Sequence, residues 1–299
     1  MSKYNLGIDI GGTFIKYALV DEEYNIIEKW KVPTIKFNTK DEFYDYLCSK
    51  GKDISKVNTI GISAPGLIDE MSNIKSYAAL NVQIMYGTNV NEEVFKRTNK
   101  KVATINDAKS AGLCELKIGN AKSTESSAFL IIGTGTGGCV CNKEGVIYGK
   151  DGFAGEFHHL PFIDFRNNSI DRQGNYACMT GLIKMYNSKV SDENAVKYGE
   201  EITKKYLAGD EIATLAVREW IYNMSVQVLT IAVFYNPEVI CIGGGISEEQ
   251  WFIELLKEQF SKLCTDYFFD INPITTEIRP CKYTNDANIL GAVINVRMK

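Results

Sequence analysis

Apolar and polar positions alternate from the start of the chain. Leu6, Ile8 and Ile10 alternate with Gly7, Asp9 and Gly11, the period of two that marks a half-buried strand. Residues 14–20 read as a second strand. Gly11 and Gly12 between the two supply the permissive backbone that returns one strand antiparallel to the other. The pattern then recurs. Residues 129–132 form an apolar run, Gly133-Thr134-Gly135-Thr136-Gly137-Gly138 a glycine-threonine turn, and 139–141 a second strand. A third strand is expected after a polar turn in both copies, over 25–30 and over 146–148. A further glycine turn, Gly243-Gly244-Gly245, closes the apolar run 239–242.

Between these hairpins the period changes to that of helices. Residues 40–50 carry the stripe Phe43, Tyr46 and Leu47. Strands are expected at 57–63 and 102–105. Helices are expected at 91–99, from Asn106 to about 116, and over 179–188, 194–208, 210–234, 250–263 and 289–296. Asn236-Pro237 ends the long helix and feeds the next strand. Alternating strands and helices define an α/β class. The duplicated hairpin predicts two similar lobes whose glycine turns face each other across a cleft. The small polar stretch 119–127 is the expected boundary, with lobes of 1–118 and 119–286 and residues 287–299 packing back on the first.

Composition narrows the class. The chain's 299 residues are enough for two domains with their own cores, and 45% hydrophobic residues mark an ordinary folded protein. A net charge of −4 without a basic block argues against a nucleic-acid surface. No apolar run has the length of a membrane span, and the first strand leaves no room for a signal peptide. The eight cysteines are scattered, several within apolar strands, as buried reduced thiols would be. A cytoplasmic, soluble protein is expected.

The candidate chemistry clusters at the glycine turns. Successive amides in such turns form a nest for an anion. Asp9, Thr13 and Lys16 add a carboxylate, a hydroxyl and an ammonium, a set suited to nucleotide phosphates and Mg²⁺; a plain hairpin turn is the other reading. Asp107, at a strand end, can accept the proton of an attacking hydroxyl, or else Asn106 or Asp107 caps the following helix. Glu156 and His159 share a face if their stretch is helical, and can hydrogen-bond a polyhydroxy ligand; a surface turn is the alternative. Zinc would need more ligands than His159 and Cys178 provide.

In order, LGIDIGGTFIKYALV, ISAPGLID, INDAKSAG, IIGTGTGG, GFAGEFHHL and FYNPEVICIGGGIS resemble the repressor–ORF–kinase (ROK) family of sugar kinases over nearly the whole chain. The resemblance implies an actin-like, ribonuclease H-like two-lobed fold, ATP with Mg²⁺ and a homodimer. It implies Asp9 organising Mg²⁺ through water, with Gly11, Gly12 and Thr13 in the first phosphate loop. It places Gly133, Thr134 and Gly135 in the second loop and Gly243, Gly244 and Gly245 at the adenosine. Asn106 and Asp107 match the pair at the reactive hydroxyl, Asp107 as base, and Gly66, Glu156 and His159 match sugar contacts. The family's cysteine-rich zinc segment is missing: 171–180 keeps only Cys178, and Thr180 stands where a last sugar-binding Glu would be. No zinc site is therefore expected. The resemblance is to the zinc-less β-glucoside kinases, which act on cellobiose and related glucosides at O6. Glucokinase and N-acetylmannosamine kinase are the alternatives. A ROK regulator without its own DNA-binding domain is the alternative of another class, and the position of Asp9 leaves no space for a helix-turn-helix ahead of it.

Overall fold

The computed structural model describes residues 4–77, 80–164, 168–269 and 271–299. The chain divides into two compact units. The first comprises 1–123, 144–154 and 285–299, and the second 124–143 and 155–284.

The first unit is built on a five-stranded sheet. Strand β2 (Phe14–Val20) runs antiparallel to both β1 (Tyr4–Ile10) and β3 (Ile26–Pro33), and β4 (Val57–Ala64) and β5 (Lys101–Asn106) run parallel to β1, in the order β3-β2-β1-β4-β5. Strict alternation along β1 sends its side chains to two faces. Leu6, Ile8 and Ile10 join a buried cluster with Phe43, Tyr44 and Leu47 of helix α1 (Lys40–Ser49) and Val90 and Val94 of α2 (Val90–Thr98). Gly7 faces the other way, under Ile289 of the C-terminal helix Ala287–Met298. That helix lies so close to the sheet that a Cβ at Gly61 would run into the Ala292 carbonyl. Helix α3 (Asp107–Ile118) covers the same face, and its Ser110 hydroxyl donates to the Asn288 carbonyl at 2.7 Å. With helices on both faces, the parallel strands are buried almost throughout, whereas β3 at the edge is half exposed.

The second unit repeats the central hairpin. Strands β6 (Ser126–Ile132) and β7 (Thr136–Asn142) are antiparallel, separated by Gly133–Gly135 as β1 and β2 are by 11–13. Next comes a small antiparallel pair that hydrophobic periodicity does not announce, β8 (Pro161–Asp164) and β9 (Ser169–Arg172). Helices α4 (Gly174–Ala177), α5 (Met179–Asn187), α6 (Gly199–Leu207) and α7 (Glu211–Tyr235) follow. Strand β10 (Val239–Gly243) lies parallel beside β6, and after α8 (Gln250–Tyr267) comes an unforeseen edge strand, β11 (Glu277–Pro280), giving the order β11-β10-β6-β7. Trp220 of α7 is fully buried against Phe252 of α8, their ring centroids 5.4 Å apart. Among the described residues no helix is long and apolar enough to cross a membrane.

Two expected elements change. The strand over 146–148 does not form. Its segment belongs to the first unit, where Gly145 meets the Met298 methyl and Gly152, at φ +77°, fits under the Ile68 carbonyl. The helix expected from 194 begins instead at Gly199. Asn187 holds the preceding strand-like segment, accepting from the Val196 N–H at 2.9 Å and donating to its carbonyl at 3.0 Å. Glu201 then reaches back to the Tyr198 N–H at 3.0 Å, fixing the helix start.

Candidate functional site

In the first unit, every candidate residue on the parallel strands sits at their C-terminal ends, where ligands of open α/β sheets bind. Register brings them together: Asp9 pairs with Ser63 on β4, and Ala64 with Asn106 on β5. Asp9 shares the face of Gly7 and is 5% exposed. Its carboxylate accepts from the Ser63 hydroxyl at 3.0 Å, from Asn288 Nδ2 at 3.2 Å and from the Lys16 ammonium, its cross-strand partner, at 3.2 Å. Lys16 itself is 44% exposed at the side chain, so the ammonium is accessible to an anion.

The first glycine turn is fastened from outside. The Gly11 N–H donates to the Phe14 carbonyl at 3.1 Å, and the Gly11 carbonyl accepts from the Thr34 hydroxyl at 2.6 Å. The Thr13 carbonyl accepts from the Thr34 N–H at 2.9 Å, and the Gly12 carbonyl from Asn81 Nδ2 at 3.0 Å. These bonds point the carbonyls into the protein and leave the Thr13 side exposed.

At the end of β5 the two capping possibilities separate. Asn106 is the N-cap of α3: its side-chain oxygen accepts from the Lys109 N–H at 3.1 Å while its Nδ2 donates to the Gly66 carbonyl at 2.9 Å. Gly66 holds φ +96°, the left-handed turn that glycine allows. Asp107 is the first helical residue. Its Oδ1 accepts from the Ala108 N–H at 2.7 Å and from Asn106 Nδ2 at 3.0 Å. Negative charge is favoured at a helix N-terminus, so Asp107 is held as an oriented carboxylate.

In the second unit the two remaining glycine turns are neighbours at one sheet edge, because Gly243 pairs with Ile131. Gly244, at φ +93°, lies so close to the neighbouring strand β6 that a Cβ would strike the Ile132 carbonyl. No atom stands within 4 Å of a Cβ at Gly135 or Gly245, so both turns border open space. Residues 133–135 are exposed, and the start of α5 anchors them. The Met179 N–H donates to the Gly133 carbonyl at 2.9 Å, and the Thr180 hydroxyl to the Thr134 carbonyl at 2.6 Å. Thr180 thus serves the second glycine turn, a role that its position opposite the family's Glu did not suggest.

Glu156 and His159 lie at the start and end of a single 3₁₀ turn, closed by the His159 N–H donating to the Glu156 carbonyl at 3.0 Å. The helical turn is Phe157–His159, and Glu156 is its N-cap with a non-helical ψ of 65°, so the stretch is one short turn and not the longer helix that a shared face presumes. Gln227 of α7 fixes the turn by donating to the Phe157 carbonyl at 2.8 Å. His158 between them points inward. Burial, with His159 and Arg172 nearby, pushes its pKa below the usual imidazole value, and its buried Nδ1 has no hydrogen-bond partner among the described residues.

Among the described residues, no three His, Cys, Asp or Glu side chains group as metal ligands. Asp9 accepts from three donors, two on Oδ1 and one on Oδ2, and keeps acceptor capacity for the water shell of an ion held by a nucleotide's phosphates. Sequence reasoning missed Ser63, Asn288, Asn81 and Thr34. The position of Ser63 at a strand end was a usable signal, whereas the other three act over separations that no local pattern records.

Comparison with known proteins gives a consistent result. Glucokinase of Halalkalibacterium halodurans is 26% identical, the match covering 97% of this chain and 93% of that protein. Beta-glucoside kinase of Klebsiella pneumoniae is also 26% identical, over 95% and 93%. The crystal structure of a ROK family protein from Streptococcus pneumoniae in complex with sucrose superposes with a TM-score of 0.86 at 25% identity, covering 98% of this chain and 97% of that one. Both units carry the elements of the two-lobed, actin-like sugar-kinase fold. The ROK family profile matches residues 5–299, so that the strand ends and glycine turns described above are those of a member of the ROK family.

Proposed function

We propose that this ROK member transfers the γ-phosphoryl group of ATP to the 6-hydroxyl of a glucose-type ring, with a β-glucoside such as cellobiose as favoured substrate. Carbohydrate kinase activity follows from the family and from the relatives' shared activity. The observation that carries the mechanism is the division of labour at β5: Asn106 takes the helix cap, which leaves Asp107 oriented but not consumed as the cap. Asp107 accepts the proton of the sugar hydroxyl as its oxygen attacks the γ-phosphorus and ADP departs. We assign Gly66, Asn106, Glu156 and His159 to the ring, Gly11, Gly12, Thr13, Lys16, Gly133, Thr134 and Gly135 to the phosphates, and Gly243–Gly245 to the adenosine. Asp9 would hold a Mg²⁺ ion through water, and the ion would supply charge neutralisation on the transferring group.

The preference for a glycoside rests on what stands in place of a carboxylate. Thr180 presents no charge and directs its hydroxyl to a loop carbonyl, so it places no demand on a free anomeric hydroxyl. The Streptococcus relative's sucrose is likewise a sugar whose anomeric oxygen is substituted. We place the enzyme in the cytoplasm as a homodimer. Coupled ADP release over glucose, N-acetylmannosamine, N-acetylglucosamine, cellobiose and simple β-glucosides tests the reading. The β-glucosides are expected to give the highest kcat/KM. A higher value for glucose or an N-acetylhexosamine overturns the substrate, and no turnover with any sugar overturns the kinase.

A further inference from the structure

Edge strand β3 carries a lysine with no role in the proposed transfer. Cross-strand register sets Asp9 opposite Lys16 and Lys16 opposite Lys31, so the three side chains form one row on one face of the sheet. The next row away from the glycine turn is Gly7, Ala18 and Lys29, and the C-terminal helix covers it: Ile289 packs on Gly7, and Lys29 pairs with Asp286 at 3.1 Å. At the outer row the helix bonds Asp9, through Asn288. Lys16 is half-exposed and Lys31 exposed. Two ammoniums directly opposite on one face repel unless an anion joins them. Asp9 answers Lys16 at 3.2 Å. The Lys31 ammonium has no carboxylate partner among the described residues, and lies 4.3 Å from the centroid of the Phe14 ring. Phe14 pairs with Pro33, so the ammonium leans along β3 toward the glycine turn. Both strands are fastened to that turn. The Phe14 carbonyl accepts from the Gly11 N–H, and Thr34, three residues beyond Lys31, bonds the Gly11 and Thr13 carbonyls. The aromatic ring thus holds an extra cation beside the first phosphate loop.

We propose that Lys31 is a further phosphate-binding residue, the outer member of a Lys16–Lys31 pair that grips the phosphate chain of the donor nucleotide. This rests on the assignment of the first glycine turn to ATP. Strand order decides which phosphates it meets. Asp107 follows β5 at one edge of the sheet, Lys31 stands on β3 at the other, and Asp9 and Lys16 lie between them. With the acceptor hydroxyl at Asp107, Lys31 meets the phosphates that leave with ADP rather than the γ-phosphoryl group. Its attraction is therefore the same before and after transfer. Uniform binding of this kind acts on KM and leaves kcat alone.

The test compares wild type with Lys31→Met, Lys31→Arg and Lys52→Met, with matching circular dichroism and thermal melts as the folding control. Lys52 is the matched control, an exposed lysine whose ammonium lies 4.8 Å from the Trp30 ring centroid on the opposite face of β3. Lys31→Met is expected to raise KM for ATP and the inhibition constant of ADP by about 2- to 5-fold each, the range of an exposed ion pair. The sugar's KM and kcat stay at wild-type values. The effect shrinks as salt is raised, and Lys31→Arg keeps the wild-type nucleotide constants. Unchanged nucleotide constants, a loss confined to kcat, or an equal rise in Lys52→Met overturns the assignment while the kinase stands. If wild type turns over no sugar, the kinase reading fails separately, and titration calorimetry with ATP and Mg²⁺ decides. Weaker binding by Lys31→Met alone supports the role of Lys31, and equal binding by all four proteins, or none, overturns it.

Discussion

Asp107 and Thr180 show how a neighbour decides what a side chain is for. Both stand in the first turn of a helix, where Asx and hydroxyl residues usually serve as caps. Asn106 caps α3, so the capping role does not fall to Asp107, which we propose as the base. Asp107→Asn is expected to lower kcat by about 10²-fold or more with little change in ATP affinity, measured by steady-state kinetics and nucleotide titration. Turnover at the wild-type level would remove it as the base. At α5 the cap is Cys178, and the Thr180 hydroxyl goes to the Thr134 carbonyl. Thr180→Val removes a hydrogen bond worth about 0.5–1.5 kcal/mol, so KM for ATP should rise by roughly 2- to 10-fold. A change confined to the sugar's KM would instead place Thr180 in the sugar site. His158 carries a pH prediction. Burial lowers its pKa in the folded state, so the unfolded chain binds the proton more readily. Stability should fall as pH drops below about 6.5, the unfolded value. In thermal melts across pH 5–7.5, His158→Asn should flatten that slope, and a parallel decline in both proteins would assign it to other groups.

At the scale of elements, the glycine hairpins were readable because alternation and glycine state both the strands and the turn within a few residues. Strands β1, β2, β6 and β7 form where expected. The strand expected over 146–148 does not form, and the flanking Gly145 and Gly152 lie against Met298 and Ile68, partners that a local pattern cannot name. Strands β8 and β9 escaped notice because they are mostly exposed and so lack an apolar period. The site was legible in the same uneven way. Asp9, Asp107 and the glycine turns sit within strong local patterns, but Asn288 reaches Asp9 from the other end of the chain, and the Asn81 contact with Gly12 spans the intervening strands. Gly244 offers an element-scale test. Alanine there would combine a positive φ with a clash at the Ile132 carbonyl. Gly244→Ala should destabilise the protein by more than about 1 kcal/mol in denaturant unfolding and weaken nucleotide binding. A loss below half of that would mean that the turn relaxes freely.

For the whole molecule, the hairpin recurs once in each unit, each copy with a glycine turn between its strands. Asp9 is the single carboxylate among the candidate phosphate-binding residues and already accepts from three donors, so the proposed metal is a weakly held, water-rich ion. Turnover should vanish with chelation and return with added Mg²⁺, and elemental analysis of the purified protein should find no stoichiometric zinc. Bound zinc whose removal lowers Tm would show that the stretch around Cys178 builds a metal site after all. The central claim is transfer of phosphate to O6 of a glucoside, and the product itself tests it most directly. After incubation with ATP, Mg²⁺ and cellobiose, phosphorus–carbon correlation in NMR should place the phosphate on C6 of the non-reducing glucose, with the β-linkage intact. Phosphate on any other carbon, cleavage of the linkage, or unaltered cellobiose after stoichiometric ATP and enzyme would contradict it.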